Sequence, residues 1–234
     1  MAAEGAGTTG LEHAADAYVT VGAAPLPALV EALTASCDRA DAAGPDAVLL
    51  VHVTGGAGDG GTCWPGDVGI HDISRWERAL RRLERLAGVS VAVAEGDCDG
   101  PAMEVLLSTD YRIAASDLRL RPPAPAGAPW PGMAVHRLAH QIGVARARRL
   151  VLFGDEVDAG TAADLGLVDE VSGDVVRAAR DVAEALRFRG GVDLPVRRRL
   201  LLDAATTTFE DALGAHLAAC DRSLRTARDG AARA

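Results

Sequence analysis

Residues 91–113 read VAVAEGDCDGPAMEVLLSTDYRI. The run Val91–Ala94 is uniformly apolar and short, the pattern of a strand buried on both faces. A glycine-rich turn follows. Gly100 suits a helix cap, and Pro101 suits the first helical position, where its missing N–H costs nothing. Glu104 then falls in the first helical turn, near the positive end of the helix dipole, and a second short strand opens at Asp110. A turn that feeds a helix N-terminus, with one carboxylate in its first turn, can hold an anionic oxygen beside an acid or base. The same residues also allow a plainer role, in which Glu104 only complements the dipole and Asp97 and Asp99 are turn residues.

The flanking segments set that stretch in an α/β frame. Tyr18–Gly22 reads as a short strand and Pro25–Ala42 as a helix, with Leu26, Leu29, Val30, Leu33 and Cys37 at helical spacing. Ala47–Val53 is a second buried strand, and Ile73–Ala87 a helix with Trp76, Leu80, Leu83 and Leu86 on one face. Arg75, Arg78, Arg82 and Arg85 lie on another face of that helix. A Glu77–Arg81 pair at i, i+4 marks it as solvated and ion-paired. Strand–helix–strand alternation of this kind predicts βαβ units and a largely parallel sheet. The proline-rich segment 117–132 is expected to be loop, because proline denies a sheet its backbone donors. Beyond it lie a helix over Met133–Phe153 broken at Gly143, a helix over Ala159–Leu165, a strand over Leu167–Val171 and a helix over Asp174–Arg187. From Pro195 onward the chain is helical. The expected organisation is an α/β core over residues 1–190, with residues 1–12 frayed, followed by a helical segment over 191–234.

Bulk properties narrow the function. Of the 234 residues 49% are apolar but only 3% aromatic, so the core must be built from Ala, Val and Leu. The net charge of −9 argues against non-specific nucleic-acid binding. All 24 basic residues are arginines, so a polyanionic ligand would need a local arginine patch. Cys37, Cys63, Cys98 and Cys220 show no C-x-x-C spacing, which predicts neither a zinc site nor a disulfide framework. The N-terminal residues lack a basic start and an apolar h-region, and no apolar run approaches a membrane span. A cytoplasmic protein without membrane segments is expected.

The motifs resemble, in one continuous register, those of the crotonase (enoyl-CoA hydratase/isomerase) superfamily. Val93-Ala94-Glu95-Gly96, Gly100, Glu104 and Thr109-Asp110-Tyr111-Arg112-Ile113-Ala114 follow the family's strand, glycine turn, helix glutamate and C-D-x-R-I-A. Upstream, Val53-Thr54-Gly55-Gly56 is similar to V-L-T-G. Downstream, Trp130-Pro131-Gly132, Arg137-Leu138, Gly143, Leu152-Phe153-Gly154 and Ala162–Asp169 match its P-G, R-L, V-G, L-x-G and A-x-x-x-G-L-V-x elements. The resemblance implies a spiral of ββα repeats that binds an acyl-CoA thioester and needs no further cofactor. It also implies two backbone N–H groups that hold the thioester enolate, and C-terminal helices that drive assembly into a homotrimer or hexamer.

Two departures bear on chemistry. The family's second acid/base glutamate falls at Ala124, and the glycine that donates the oxyanion N–H falls at Pro101, which has none. Losing one such donor typically costs about 10²–10³ in rate. Gly100 or Ala102 would have to supply it, with the other donor near Gly66 in the Trp64-Pro65-Gly66-Asp67 loop. The W-P-G-D loop, the Arg75–Leu86 helix, the D-G-P-A-M-E turn and the late W-P-G-M resemble a branch of crotonase-like proteins of 3,5-dihydroxyphenylglycine biosynthesis. That likeness implies a dehydration and aromatisation helper, with Glu104 as its acid/base, for a type III polyketide synthase that makes 3,5-dihydroxyphenylacetyl-CoA. A sister crotonase-like protein is a further implied partner. An ordinary acyl-CoA hydratase or isomerase, and a non-catalytic partner subunit, are the rival expectations.

Other candidates carry less. His136 and His140 stand at i, i+4, but no H-E-x-x-H motif contains them, so no metal site is expected. Arg119 and Arg121, just before the proline-rich loop, are the expected CoA contacts. Gly55–Gly61 lacks the Lys-Ser/Thr of a phosphate loop and is expected to form a loop over the site. Cys98 is expected to be a packing residue.

Overall fold

The computed structural model describes residues 10–55, 64–122, 130–190 and 193–231. The chain opens with βαβ units: β1 (Ala17–Val21), α1 (Leu26–Ala43), β2 (Val48–Val53), α2 (Ile70–Leu83) and β3 (Val89–Ala94). Two ββα units follow. The first is completed by β4 (Asp97–Cys98) and α3 (Ala102–Leu106), the second by β5 (Tyr111–Ala115), β6 (Arg119–Leu120) and α4 (Ala134–Gln141). The chain then runs through α5 (Val144–Phe153), β7 (Val157–Asp158), α6 (Ala159–Leu165), β8 (Glu170–Ser172), α7 (Val175–Gly190), α8 (Leu194–Ala204) and α9 (Phe209–Ala231).

A five-stranded sheet of order β1-β2-β3-β5-β8 is parallel throughout, and β4-β6-β7 form a second, smaller sheet. In each ββα unit the first strand joins the large sheet and the second the small one. All six residues of β2 and of β3 are buried. Such strands have no polar face, because both faces of the sheet are covered. Leu49, Val51, Val53, Ala92 and Ala94 face α1, α2 and α3. Their alternating neighbours Val48, Leu50, Val89, Val91 and Val93 face Leu11 and α7, through Val175, Ala178, Ala179 and Ala183. At roughly 1.5–3 kcal/mol per fully buried Val or Leu side chain, this double burial is the main force holding the strands in register.

Local chemistry explains where the elements depart from the sequence reading. The expected loop 117–132 contains β6: its prolines begin only at Pro122, so Arg119 and Arg121 can donate N–H groups to Gly96 O (2.9 Å) and Cys98 O (2.8 Å). Helix α2 starts three residues early, at Ile70, because the Asp72 carboxylate accepts the Gly69 N–H at 3.2 Å and closes its N-terminus. The C-terminal helix is interrupted at residues 205–208. The Thr206 and Thr207 hydroxyls there return to Asp203 O, and the Thr208 hydroxyl accepts the Asp211 N–H as a new cap. Leu11 lies in the segment expected to fray, yet it is fully buried against the α7 face of the sheet; residues 1–9 lie outside the described residues.

Helix α8 is tied to the core by Leu194, which packs on the α7-facing cluster, and by Arg198. Arg198 is buried and forks onto Asp110, Nε to Oδ1 and Nη2 to Oδ2, each at 2.6 Å. Its Nη groups also donate to the carbonyls of Leu86 and Gly88. Beyond this anchor, Leu201, Phe209, Leu217 and Leu224 are exposed.

Candidate active site

Glu104 sits where the Gly100–Pro101 turn enters α3. Gly100 adopts φ +53°, a left-handed conformation that glycine takes without strain, and Pro101 is the N-cap. The rest of the environment comes from distant segments. The Glu104 side chain is only 1% exposed. Trp76, on the buried face of α2, donates its indole N–H to Glu104 Oε2 at 2.6 Å. The backbone N–H of Ala134, at the start of α4, also points at the carboxylate. The other oxygen, Oε1, faces the turn before α4. A Cβ built on Gly132 would stand 2.5 Å from Oε1 and 2.4 Å from the indole nitrogen of Trp130, so this position has room only for glycine. Trp64 meets Trp76 edge-on at 5.6 Å and 69° and packs on Gly100, whose added Cβ would lie 3.3 Å from that of Trp64. All three tryptophans of the chain therefore converge around one carboxyl group.

That setting pushes the Glu104 carboxyl up to about 7. Desolvation is the largest cause, and the nearby Glu77 carboxylate adds to it; the Trp76 N–H, the Arg137 guanidinium and the Ala134 N–H act the other way. Arg137 is itself buried on α4, donating from Nε to Glu84 at 2.7 Å and from Nη2 to Glu77 at 3.1 Å. The expected Glu77–Arg81 pair does not form: Glu77 faces Arg137, and Arg81 reaches Glu84 instead. The expectation of an ion-paired Arg face on α2 is met at Arg82, which bridges to Asp38 and Asp41 of α1.

The remaining expected site residues are distributed unevenly. Pro101 offers no N–H, and Ala102 donates its own to Asp99 O at 3.0 Å, which leaves Gly100 as the candidate of that pair. Gly66 has φ +83° in the loop that Trp64 opens, so the Trp64 contact brings the two halves of the expected oxyanion turn together. Arg119 opens β6 and Arg121 directly follows it, one strand from the turn. Their guanidiniums are occupied: Arg119 faces Asp158 at 3.7 Å, and Arg121 faces Asp97 at 2.8 Å and Glu156 at 2.7 Å. Ala124 and most of the Gly55–Gly61 segment lie outside the described residues. His136 and His140 stack at 4.2 Å on α4, and among the described residues no group of three His, Cys, Asp or Glu is arranged to hold a metal. Cys98 is buried and its thiol is pushed up to about 12, mainly by desolvation, as suits a packing residue. Trp76 and Arg137 had no part in the site expected from sequence. A signal existed for Trp76, because a buried indole N–H needs an acceptor and few core side chains offer one.

The family model for enoyl-CoA hydratase/isomerase matches residues 72–223. A protein named enoyl-CoA-hydratase from Amycolatopsis orientalis is 47% identical over 208 residues, covering 87% of this chain and 93% of that protein. The chain belongs to the enoyl-CoA hydratase/isomerase family. Solved structures share the fold at low identity. An enoyl-CoA hydratase/isomerase family protein from Silicibacter pomeroyi superposes with a TM-score of 0.73 at 18% identity, over 90% of this chain and 96% of that one. A candidate enoyl-CoA hydratase from Thermobifida fusca, solved with acetoacetyl-CoA, superposes with a TM-score of 0.69 at 22% identity, over 93% and 98%. The α/β architecture with its helical C-terminus is thus that of the family. Among the described residues no helix is long and apolar enough to cross a membrane.

Proposed function

We propose that this family member removes water from a β-hydroxyacyl- or β-ketoacyl-derived CoA thioester with Glu104 as its single acid/base. The carboxylate takes the proton α to the thioester carbonyl and delivers it to the departing β-hydroxyl. The C–O bond breaks, a C=C bond forms, water leaves and the carboxylate is regenerated. The observation that carries this reading is a buried carboxyl at the entry of α3, held by the Trp76 N–H at 2.6 Å; desolvation pushes it up toward about 7, where acid and base forms coexist at neutral pH. Pro101 and Ala124 make alkene hydration a poor fit, whereas dehydration of a ring that becomes aromatic has its own driving force. The finer reading is therefore help to a type III polyketide synthase, alongside a sister crotonase-like protein, in making 3,5-dihydroxyphenylacetyl-CoA. CoA enters as part of the substrate, recognised by arginines such as Arg119 and Arg121 once their carboxylate partners give way, and the chemistry calls on no other cofactor. The exposed leucines of α8 and α9 support assembly into a trimer or hexamer. A cytoplasmic location fits this substrate.

A second reading has its own observation. Glu104 is closed off by Trp76, and the Ala102 N–H is already spent, as in a site kept only as a scaffold that stabilises its synthase. Product formation from malonyl-CoA by the synthase, with wild type or Glu104→Gln added, separates the two. Stimulation lost in the variant supports chemistry at Glu104, and equal stimulation supports the scaffold. Turnover of crotonyl-CoA comparable to that of an ordinary hydratase would instead restore the generic activity.

A further inference from the structure

The two oxygens of Glu104 face different surroundings. Oε2 meets the indole N–H of Trp76, a side chain only 1% exposed. Trp76 cannot easily swing away, because Trp64 braces it edge-on and Leu80 and Leu83 of its own helix are buried beside it. Oε1 packs against the half-buried turn of Trp130 and Gly132, where only the absence of a Gly132 side chain lets the carboxyl and the Trp130 indole fit. Both Oε1 and Trp130 Nε1 lie within 2.5 Å of the point where that side chain would begin.

We propose that Trp76 is a positioning residue that pins Oε2 and so presents Oε1, beside the Trp130 indole, as the oxygen that exchanges protons with substrate. The proposal rests on the reading that Glu104 acts as acid/base. The physical case is one of asymmetry: a carboxylate free to rotate about its last torsion presents either oxygen, while a buried donor at 2.6 Å fixes which one faces the Trp130–Gly132 turn. The donor has a second effect. A hydrogen bond to the charged form favours ionisation, so Trp76 opposes the desolvation that raises the carboxyl. Around it Glu77 on α2 pushes upward, while Arg137 and the Ala134 N–H on α4 push downward, with Glu84 holding Arg137 in place. Trp76→Phe keeps an aromatic ring at this position and removes the donor, together with part of the buried indole volume. With the hydrogen bond to the charged form gone, the carboxyl midpoint rises by about one pH unit or more.

The experiment uses the full chain with ¹⁵N-labelled indoles and ¹³C-labelled glutamate carboxyls. In the wild type the Trp76 indole N–H signal moves with pH, with the same midpoint near 7 as the Glu104 carboxyl, and in Glu104→Gln it does not. Trp64→Phe and Trp130→Phe assign the other two signals. In Trp76→Phe the carboxyl midpoint rises by about one unit or more, and the pH profile of synthase stimulation shifts with it. If Trp76→Phe does not fold, the wild-type and Glu104→Gln titrations still decide the coupling. A Trp76 signal indifferent to pH, or an unshifted midpoint and profile in Trp76→Phe, overturns the proposal. Failure of the acid/base reading looks different: Glu104→Gln would then stimulate like wild type, while the indole and carboxyl still titrate together.

Discussion

Replacing Glu104 by Gln is expected to change how stability depends on pH. The carboxyl titrates near 7 in the folded chain against 4.5 for the ordinary group. Between those values the native state keeps a proton that the unfolded chain has lost, so stability falls as pH rises through the window. The penalty is absent below about pH 4.5 and complete above about pH 8. At about 1.4 kcal/mol per unit of displacement it amounts to about 3 kcal/mol at pH 8.5 and about 1 kcal/mol at pH 5.5. Gln has nothing to titrate. Its oxygen can still accept the Trp76 N–H, and whatever its neutral amide costs in the buried site is the same at every pH and leaves the slope alone. Urea unfolding at pH 5.5 and 8.5, followed by far-ultraviolet circular dichroism, should therefore show the stability difference moving by about 2 kcal/mol in the variant's favour at the higher pH. Groups such as Asp16 and Asp158, held below the usual carboxylate range, titrate alike in both proteins and cancel. Parallel pH curves for the two proteins would refute the argument, because the carboxyl would then not be titrating near 7.

The other expectations are simpler to check. Gly132→Ala introduces a Cβ 2.5 Å from Glu104 Oε1, which should abolish synthase stimulation and cost about 1–3 kcal/mol in thermal or urea unfolding. Wild-type activity in that variant would place the working oxygen elsewhere. Arg198→Ala leaves the carbonyls of Leu86 and Gly88 without their donor and the Asp110 carboxylate with only its Ser90 partners, a loss of about 1–3 kcal/mol. Limited proteolysis should then cut between α7 and α8 in the variant and spare the wild type. Of the three described cysteines, alkylation of the native chain at pH 8 should label exposed Cys220 and spare Cys37 and Cys98, whose thiols burial pushes up to about 11 and about 12; peptide mass spectrometry reads the outcome.

The parallel sheet was legible because uniformly apolar runs such as Val48–Val53 and Val89–Ala94 suit a strand covered on both sides. Gly143 and Gly166 ended helices as expected, since each adopts a positive φ. The small sheet was not legible. β4 and β6 have two residues each, too few to carry any period, and they exist because the N–H groups at Arg119 and Arg121 meet carbonyls on the preceding ββα unit. Glu77 shows the same limit from another side. An exposed i, i+4 pair with Arg81 would contribute about 0.2–0.5 kcal/mol, whereas a buried Arg137 left unpaired would cost several. The tertiary demand wins, and nothing within α2 announces it.

For the site, the turn could be read from the sequence and the enclosure could not. Gly100 and Pro101 fix where Glu104 enters its helix, but its chemistry is set by residues 28 positions before it and 30 or more after it: Trp76 on one side, Ala134 and Arg137 on the other. Three favourable contacts stabilise the carboxylate, yet its proton is held more tightly than in water. Desolvation therefore outweighs two hydrogen bonds and a guanidinium that Glu77 and Glu84 already claim. That balance bears on the missing second glutamate. Two carboxylates can divide the work, one kept as base and the other as acid, but a lone carboxyl must be both within one turnover. It does so best when its affinity for a proton matches the ambient pH. An exposed glutamate near 4.5 would serve as base and fail as acid. On the dehydration proposed above, desolvation in this buried site would bring the one remaining carboxyl toward the value such a step asks for.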